Sequence, residues 1–466
     1  MLTYSFEDRG SESLYEYLYK QIKNDIVNYR LSPDEKLPSK RELAKHLNIS
    51  TITVENAYSQ LMAEGYIYSK PKSGFYVSQI TAAGKRDREL VREVFKEREQ
   101  INKKQYYADF VRNSTPKASS FFNIWTKLMR ETMSDNPDKL MVSSPSTGIF
   151  ELRCEIAKYL FEFRGMKVEP DRIVIGAGTE YLYGIIIQLL GHGRTYAVED
   201  PGYQKIAKIY RANDVKCVHI PVDKEGVNVA ELEKTGAEVL HISPSHHFPT
   251  GIVTPISRRY EILSWASKEP SRYIIEDDYD SEFRFVGKPI PSLQSIDVLD
   301  KVIYINTFSK SLASTIRISY MVLPKELMES YNRELNFYSC TVSNFEQYTL
   351  ASFIEKGYFE KHISRMRNYY RSQRDLIMEC IKAHPKYNMV RIAEENAGLH
   401  FLLHVKTELT DEELIKKAAD NGINISCLSQ YYYVDSVKSH TLLINYSGID
   451  SEKVKHAVEL LFESLW

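Results

Sequence analysis

The apolar positions of the chain change rhythm twice. Near the N-terminus, Leu14, Leu18, Ile22 and Ile26 recur at helical spacing, which predicts an amphipathic helix within 14–29. Pro38 and Ser39 precede a second stripe, Leu43 and Leu47. Ser39 and Glu42 have the spacing of a reciprocal N-terminal cap. A turn at Asn48-Ile49-Ser50 leads to a third helix, started by Ser50 or Thr51, with Val54, Ala57, Tyr58 and Leu61 inward. After Gly65, residues 66–68 and 75–77 read as two paired strands around a tip of Lys70, Pro71, Lys72, Ser73 and Gly74.

Residues 79–108 break the pattern with a charge-dense run, AAGKRDRELVREVFKEREQINKKQ. Its residue types tolerate a helix, but it holds too few apolar side chains for a core, so it reads as a linker. From 109 onward, the runs RIVIGAG, RTYAVED, VLHISPS, RYIIEDDY and KVIYINTFS have strand length and end in small or polar residues. Helical patterns separate most of them. This is the texture of an α/β fold, in which parallel strands deliver functional groups at their carboxyl ends.

Composition changes this picture little. The chain has 466 residues, 43% hydrophobic and 26% charged, with a formal net charge of -1. That is ordinary globular material, enough for roughly three structural units. A nucleic-acid site would have to be a local basic patch. Cys154, Cys217, Cys340, Cys380 and Cys427 are scattered. Their spacing suggests neither a metal site nor a disulfide framework. The first residues lack a secretory pattern, and the longest apolar runs are far below the ~20 residues of a membrane span. The expected location is the cytoplasm.

In the N-terminal block, Thr51, Thr53, Asn56 and Ser59 fall on the outer face of the third helix, small polar groups suited to base edges. Lys70 and Lys72 make the hairpin tip basic. Two capped helices, a short turn and a basic wing together point to double-stranded DNA, although such a shape also occurs as a plain helical cap.

Four elements of the long region carry chemistry. An apolar strand, 302–305, ends in Thr307, Ser309 and Lys310, with Arg317 beyond. A lysine there can form a Schiff base if its pKa falls, and the hydroxyls and guanidinium can hold a phosphate. The run IIEDDYDSEF places Glu276, Asp277, Asp278 and Asp280 after another strand. A carboxylate facing a pyridine nitrogen keeps it protonated. The plainer readings are an acidic loop or a metal site, and no histidine lies in the run. VIGAGTEYL puts Gly178 and Thr179 where a strand becomes a helix, a place where backbone amides bind phosphate. VEDPGYQK offers Tyr203 to stack on a ring. Singly, each has a bland alternative; pyridoxal phosphate (PLP) would use all four.

The motifs also carry a resemblance. PSKRELA, TVENAYSQL and EGY resemble the GntR winged-helix family, which implies that Ser39 and Arg41 meet phosphates and that the Thr51 helix enters the major groove. EDPGYQ, SPSHHFPTG, EDDYDSEFRF, NTFSKSL and AGLHFLLHV resemble the fold-type I aminotransferases. From about Leu14 to the C-terminus, the chain is similar to the MocR/GabR-type regulators. The resemblance implies a GntR-type domain over 1–78, a linker over 79–108 and an aminotransferase-like domain over 109–466, whose small subdomain starts near 335. It implies PLP as cofactor, with Lys310 as the Schiff-base lysine, Asp277 as the pyridine partner and Tyr279 as the 3′-oxygen partner. Thr307, Arg317, Gly178 and Thr179 hold phosphate, and Tyr203 stacks on the ring. It also implies a head-to-tail homodimer and a small-molecule effector.

Two departures stand out. Phe248 occupies the place of the asparagine that aminotransferases set near the 3′-oxygen, so His246 or His247 is expected to substitute. No arginine follows Arg391, whereas aminotransferases clamp the substrate carboxylate with one in the small domain. An amino-acid effector would have to use Lys205, Lys438 or backbone amides, and a lysine is not a bidentate fork. PLP itself is therefore the expected signal, with control of vitamin B6 synthesis as its output, and an amino compound is the alternative. A PLP-dependent aminotransferase with a degenerate N-terminal domain, and a DNA-binding protein whose large domain only dimerises, are the competing readings.

Overall fold

The computed structural model describes residues 2–6, 9–10, 12–79, 106–112, 119–135, 137–285, 290–396, 398–433 and 439–466. Most of the linker expected at 79–108 lies outside the described residues, as does Lys438. The chain separates into two compact units, Met1–Lys104 and Gln105–Trp466.

In the first unit, α1 (Leu14–Val27), α2 (Lys40–Leu47) and α3 (Thr51–Ala63) are started by Ser13, Ser39 and Ser50, each of which accepts a backbone N–H of the first turn. Ser13–Glu16 and Ser39–Glu42 are complete capping boxes, each worth about 1 kcal/mol to its helix. Asn48 ends α2 in the left-handed region, φ 52°, where asparagine is among the few non-glycine residues tolerated. That sharp exit sets α3 across α2, and the Tyr58 hydroxyl donates to the Pro38 carbonyl at 3.0 Å. Strands β1 (Ile67–Lys70) and β2 (Gly74–Val77) pair antiparallel, Ile67 opposite Val77 and Lys70 opposite Gly74. Leu18, Ile22, Leu43, Val54, Ala57, Tyr58 and Leu61 are fully buried at the centre of this unit. Burial of each large aliphatic contributes about 1.5–3 kcal/mol.

The second unit opens with β3 (Ala108–Asp109), which pairs parallel with β14 (Ile423–Asn424). Its main sheet, eight-stranded among the described residues, has the order β4-β11-β10-β9-β8-β5-β6-β7. The strands are β4 (Ile173–Gly176), β5 (Thr195–Asp200), β6 (Lys216–Asp223), β7 (Gly226–Val227), β8 (Val239–Ile242), β9 (Tyr273–Asp277), β10 (Val302–Thr307) and β11 (Ser319–Val322). Neighbours from β10 through β9, β8 and β5 to β6 are parallel, and β11 runs against both β10 and β4. β4, β8, β9 and β10 are buried along their whole length, as strands covered on both faces by helices are. A second sheet, of order β12-β13-β16-β15, comprises Val390–Ala393, His400–Val405, Thr441–Asn445 and Ser426–Cys427. It shares a core with helices Tyr358–Ala383, Asp411–Asp420 and Val454–Ser464. Among the described residues, no helix is long and apolar enough to cross a membrane.

Candidate functional site

The carboxyl ends of β4, β5, β9 and β10 converge on a cavity of ≈ 370 Å³. Crossover connections force this convergence, because every parallel strand points the same way. Lys310 stands in the short helix Phe308–Ser311 that follows β10. Burial lowers its pKa from the ordinary lysine value, while the Asp280 charge works in the opposite direction. A lysine with a depressed pKa is the kind that forms imines.

Arg317, Gly178 and Thr179 lie together on one wall of the same cavity. Helix Thr179–Leu190 starts at Gly178, φ 93°, with no side-chain cap, so its first N–H groups are available to an anion. Arg317 Nη2 lies 3.6 Å from Glu180 Oε1, and the Lys205 ammonium is bonded to the same oxygen. Thr307 and Ser309 also line the cavity, but their hydroxyls shape the loop. Ser309 Oγ donates to the Ile316 carbonyl at 2.7 Å, and Thr307 Oγ1 accepts from Ser319 Oγ at 2.8 Å and from the Ser309 amide at 3.2 Å.

Asp277 lines the same cavity. Of the acidic run, this is the carboxylate that faces the cavity; strand alternation turns its neighbours away. Glu276 pairs with Arg259 at 3.4 Å, and Asp278 with Arg164 at 3.1 Å, all buried. Those pairs hold the strand in place. Asp277 Oδ2 accepts from the Tyr183 hydroxyl at 2.5 Å and lies 3.6 Å from His241 Nε2. Its Oδ1 is buried without a hydrogen-bond partner. Tyr183 and His241 are site residues that the pattern does not reveal. Tyr183 reads as an ordinary inward position of its helix, and His241 as a mid-strand residue.

Tyr203 and Tyr279 line the cavity. The two histidines expected beside them do not. His247 is fully buried, with Nδ1 2.6 Å from Thr250 Oγ1 and Nε2 3.5 Å from Glu199 Oε2. His246 is buried beside Tyr279, with Nδ1 2.8 Å from Asp280 Oδ2 and 3.1 Å from the Tyr279 hydroxyl. Phe248 itself faces the cavity, so an aromatic ring, rather than a substituted hydrogen-bond donor, fills that place. Each imidazole thus has a buried polar partner at Nδ1.

A second chamber of ≈ 240 Å³ continues the first, sharing Tyr203, Phe248, Tyr279, Lys310 and Leu399. Its further walls include Phe110, His400, Tyr431, Leu443 and Asn445. Lys310 is the cationic group among the described residues of this chamber. Lys205 lines only the first chamber, where Glu180 engages it. Among the described residues, no group of three or more His, Cys, Asp or Glu side chains is arranged to hold a metal ion.

In the N-terminal unit, Ser39, Arg41, Thr51, Asn56, Lys70 and Lys72 are exposed. Thr53 is half-buried, and its hydroxyl is 2.8 Å from Ser50 Oγ, the helix cap. Ser39 is likewise engaged as a cap, and Lys70 folds back over the Tyr76 ring at 4.4 Å. Ile52, which a pattern reading overlooks, is 68% exposed in the first turn of α3.

Comparison with known proteins adds to this geometry. Residues 113–461 match the family model "Aminotransferase class I and II", and residues 14–77 match "Bacterial regulatory proteins, gntR family". The HTH-type transcriptional regulator YdeL of Bacillus subtilis is 38% identical over 448 residues, covering 96% of this chain and 96% of that protein. The HTH-type pyridoxine biosynthesis transcriptional regulator PdxR of Corynebacterium glutamicum is 28% identical, covering 89% and 88%. The crystal structure of Pyrococcus horikoshii kynurenine aminotransferase shares the fold, with a TM-score of 0.67 at 24% identity, covering 82% of this chain and 96% of that one.

Proposed function

The chain belongs to the aminotransferase class I and II family and carries a GntR-family regulatory domain, as do its HTH-type regulator relatives, and on that premise we propose that it is a transcription regulator whose α/β unit binds PLP as its signal. The observation that carries this reading is the Asp277 carboxylate. Its Oδ1 is buried without a partner, and Asp277 lines the cavity that also holds Lys310. A buried acceptor left unpaired costs about 1–3 kcal/mol, which a pyridinium N–H would recover. The residues present therefore fit the cofactor.

In this reading, Arg317 and the uncapped start of the Thr179 helix hold the phosphate. Tyr279 donates to the ring oxygen, Tyr203 stacks on the ring, and Tyr183 orients Asp277. When bound, PLP supplies an aldehyde that condenses with a primary amine, and a ring whose visible absorption reports the link. The PdxR relative is named for pyridoxine biosynthesis, and vitamin B6 synthesis is the proposed target of control here. The second chamber supports a second reading, in which an amine displaces Lys310 and is the signal. The protein is proposed to act in the cytoplasm as a homodimer, which sedimentation at micromolar concentration with PLP bound would test.

PLP can act as a signal only if the DNA-competent and DNA-incompetent states bind it unequally. The test is the affinity for a DNA fragment selected on the apo protein, measured without ligand, with PLP, and with PLP plus a panel of amines. A change on adding PLP alone supports PLP sensing. Equal affinity for apo and PLP-bound protein, altered only by one amine, supports the second reading and rejects the first.

A further inference from the structure

Beside Tyr279, the turns after β8 and β9 bring together two groups that the cofactor reading does not use, of which Asp280 also lines the second chamber. His246 and Asp280 are 2% and 3% exposed. Asp280 Oδ2 lies 2.8 Å from His246 Nδ1, and the Tyr279 hydroxyl lies 3.1 Å from the same nitrogen. His246 Nε2 is buried without a hydrogen-bond partner. The ring occupies space that only a glycine at 398 leaves open: a Cβ there would lie 1.8 Å from His246 Cε1. The imidazole is thus held in a made-to-measure slot, with one nitrogen shared between a carboxylate and a phenol.

The shared nitrogen decides the direction of a proton. A carboxylate oxygen only accepts, so the contact with Asp280 requires a hydrogen on Nδ1. A protonated Nδ1 cannot accept from Tyr279. The phenol oxygen is left as a second acceptor of that N–H, and its own hydrogen must be directed elsewhere. Tyr279 lines both chambers beside Lys310, and the open direction is the cavity.

We propose that His246, fixed by Asp280, is a positioning residue that commits the Tyr279 hydroxyl to donate into the cavity, onto an anionic oxygen of the bound ligand. This rests on the PLP reading, in which that oxygen is the ring 3′-oxygen. Donation stabilises the deprotonated ring oxygen. Without it, the proton is held more tightly, and the pH midpoint of the visible band of lysine-linked PLP moves up. With His246 replaced by leucine, the Tyr279 hydrogen is no longer committed to the cavity.

The experiment is a pH titration of the visible band in wild type, H246L, Y279F and H246L/Y279F; D280N is left out of it because the Asp280 charge also acts directly on Lys310. The midpoint in H246L should rise by about one pH unit, in the same direction as in Y279F, and H246L should add nothing in the Y279F background. A midpoint that moves in Y279F but not in H246L, or an H246L shift that persists in Y279F, overturns the proposal. A second measurement works on the apo protein, using nitrogen NMR of histidine-labelled chain with His246 assigned through H246L. Nδ1 should carry the proton in wild type and lose that preference in D280N. A bare Nδ1 in wild type overturns the proposal whether or not PLP binds. Absence of any visible band in wild type would instead count against the PLP reading, leaving the NMR result to decide the role of His246.

Discussion

Gly178 leaves the space that the Arg317 guanidinium occupies: a Cβ on residue 178 would lie 2.6 Å from Nη2 and 3.0 Å from Cζ. The backbone there has φ 93°, so an L side chain would be strained as well as crowded. Gly178→Ala should therefore push Arg317 off the proposed anion seat and weaken the proposed PLP binding about tenfold or more. Fluorescence titration with PLP measures this. In an Arg317→Ala background, the same glycine change should cost less. Equal costs in both backgrounds would show that backbone strain alone is responsible.

Lys310→Ala should abolish the visible band and borohydride-reducible attachment of PLP, because Lys205, the other cavity lysine, is tied to Glu180 on the first chamber's wall. Asp277→Ala should retain the attachment but lower affinity by about 10-fold, consistent with loss of a charge-assisted hydrogen bond. Mass spectrometry after reduction identifies the modified residue. Attachment elsewhere than residue 310 would remove the lysine from its assigned role.

The exposed residues of the N-terminal unit divide by the kind of contact they can make. Arg41→Ala should weaken binding to all DNA sequences and reduce the salt slope by about one unit. Asn56→Ala should alter sequence preference. Ile52, apolar and exposed, can reach only an apolar base feature, of which the thymine methyl is the one in the major groove. Replacing thymine by deoxyuridine across the binding site should lower wild-type affinity and leave Ile52→Ala affinity unchanged. Equal losses for both proteins would count against this contact.

Glu199 gives the α/β unit a pH signature. Burial raises its pKa to about 8 from an ordinary 4.5, opposed by the Ser243 amide, which donates to Oε2 at 3.0 Å. A folded-state pKa above the unfolded one favours folding at low pH. That advantage is complete below about 4.5 and is lost as pH rises towards about 8. Glu199→Gln removes the titration. Its melting temperature should match wild type near pH 4.5 and exceed it by at least about 2 °C at pH 8. A difference that does not vary with pH would show that Glu199 does not titrate in this range.

The sequence by itself determined the three helices and the hairpin of the first unit, five strands of the main sheet in the second, and the motifs that close those strands. Leu18, Ile22 and Ile26 occupy one face because helical geometry allows no other outcome for that spacing, and Ser39 caps α2 because Glu42 stands three residues on. Lys310, Asp277, Tyr279, Gly178, Thr179, Arg317 and Tyr203 line one cavity, because parallel strands joined by crossovers end on the same edge. Local order and a single topological rule suffice for all of this.

Only the tertiary structure decided what each side chain at that edge faces. In EDDYDSEF, four carboxylates are equivalent by type. Strand alternation, together with the buried partners Arg259 and Arg164, turns Glu276 and Asp278 aside and leaves Asp277 at the cavity. His246 and His247 are equal candidates for a cavity position by sequence, and neither lines the first chamber: their Nδ1 atoms are engaged instead with Asp280 and with the Thr250 hydroxyl. Tyr183 meets Asp277 across 94 residues of sequence, and Thr53 turns its hydroxyl to its own helix cap. Such choices depend on which partner is nearest in three dimensions and on the cost of leaving a buried polar group unpaired. Neither quantity is a property of a residue and its neighbours along the chain.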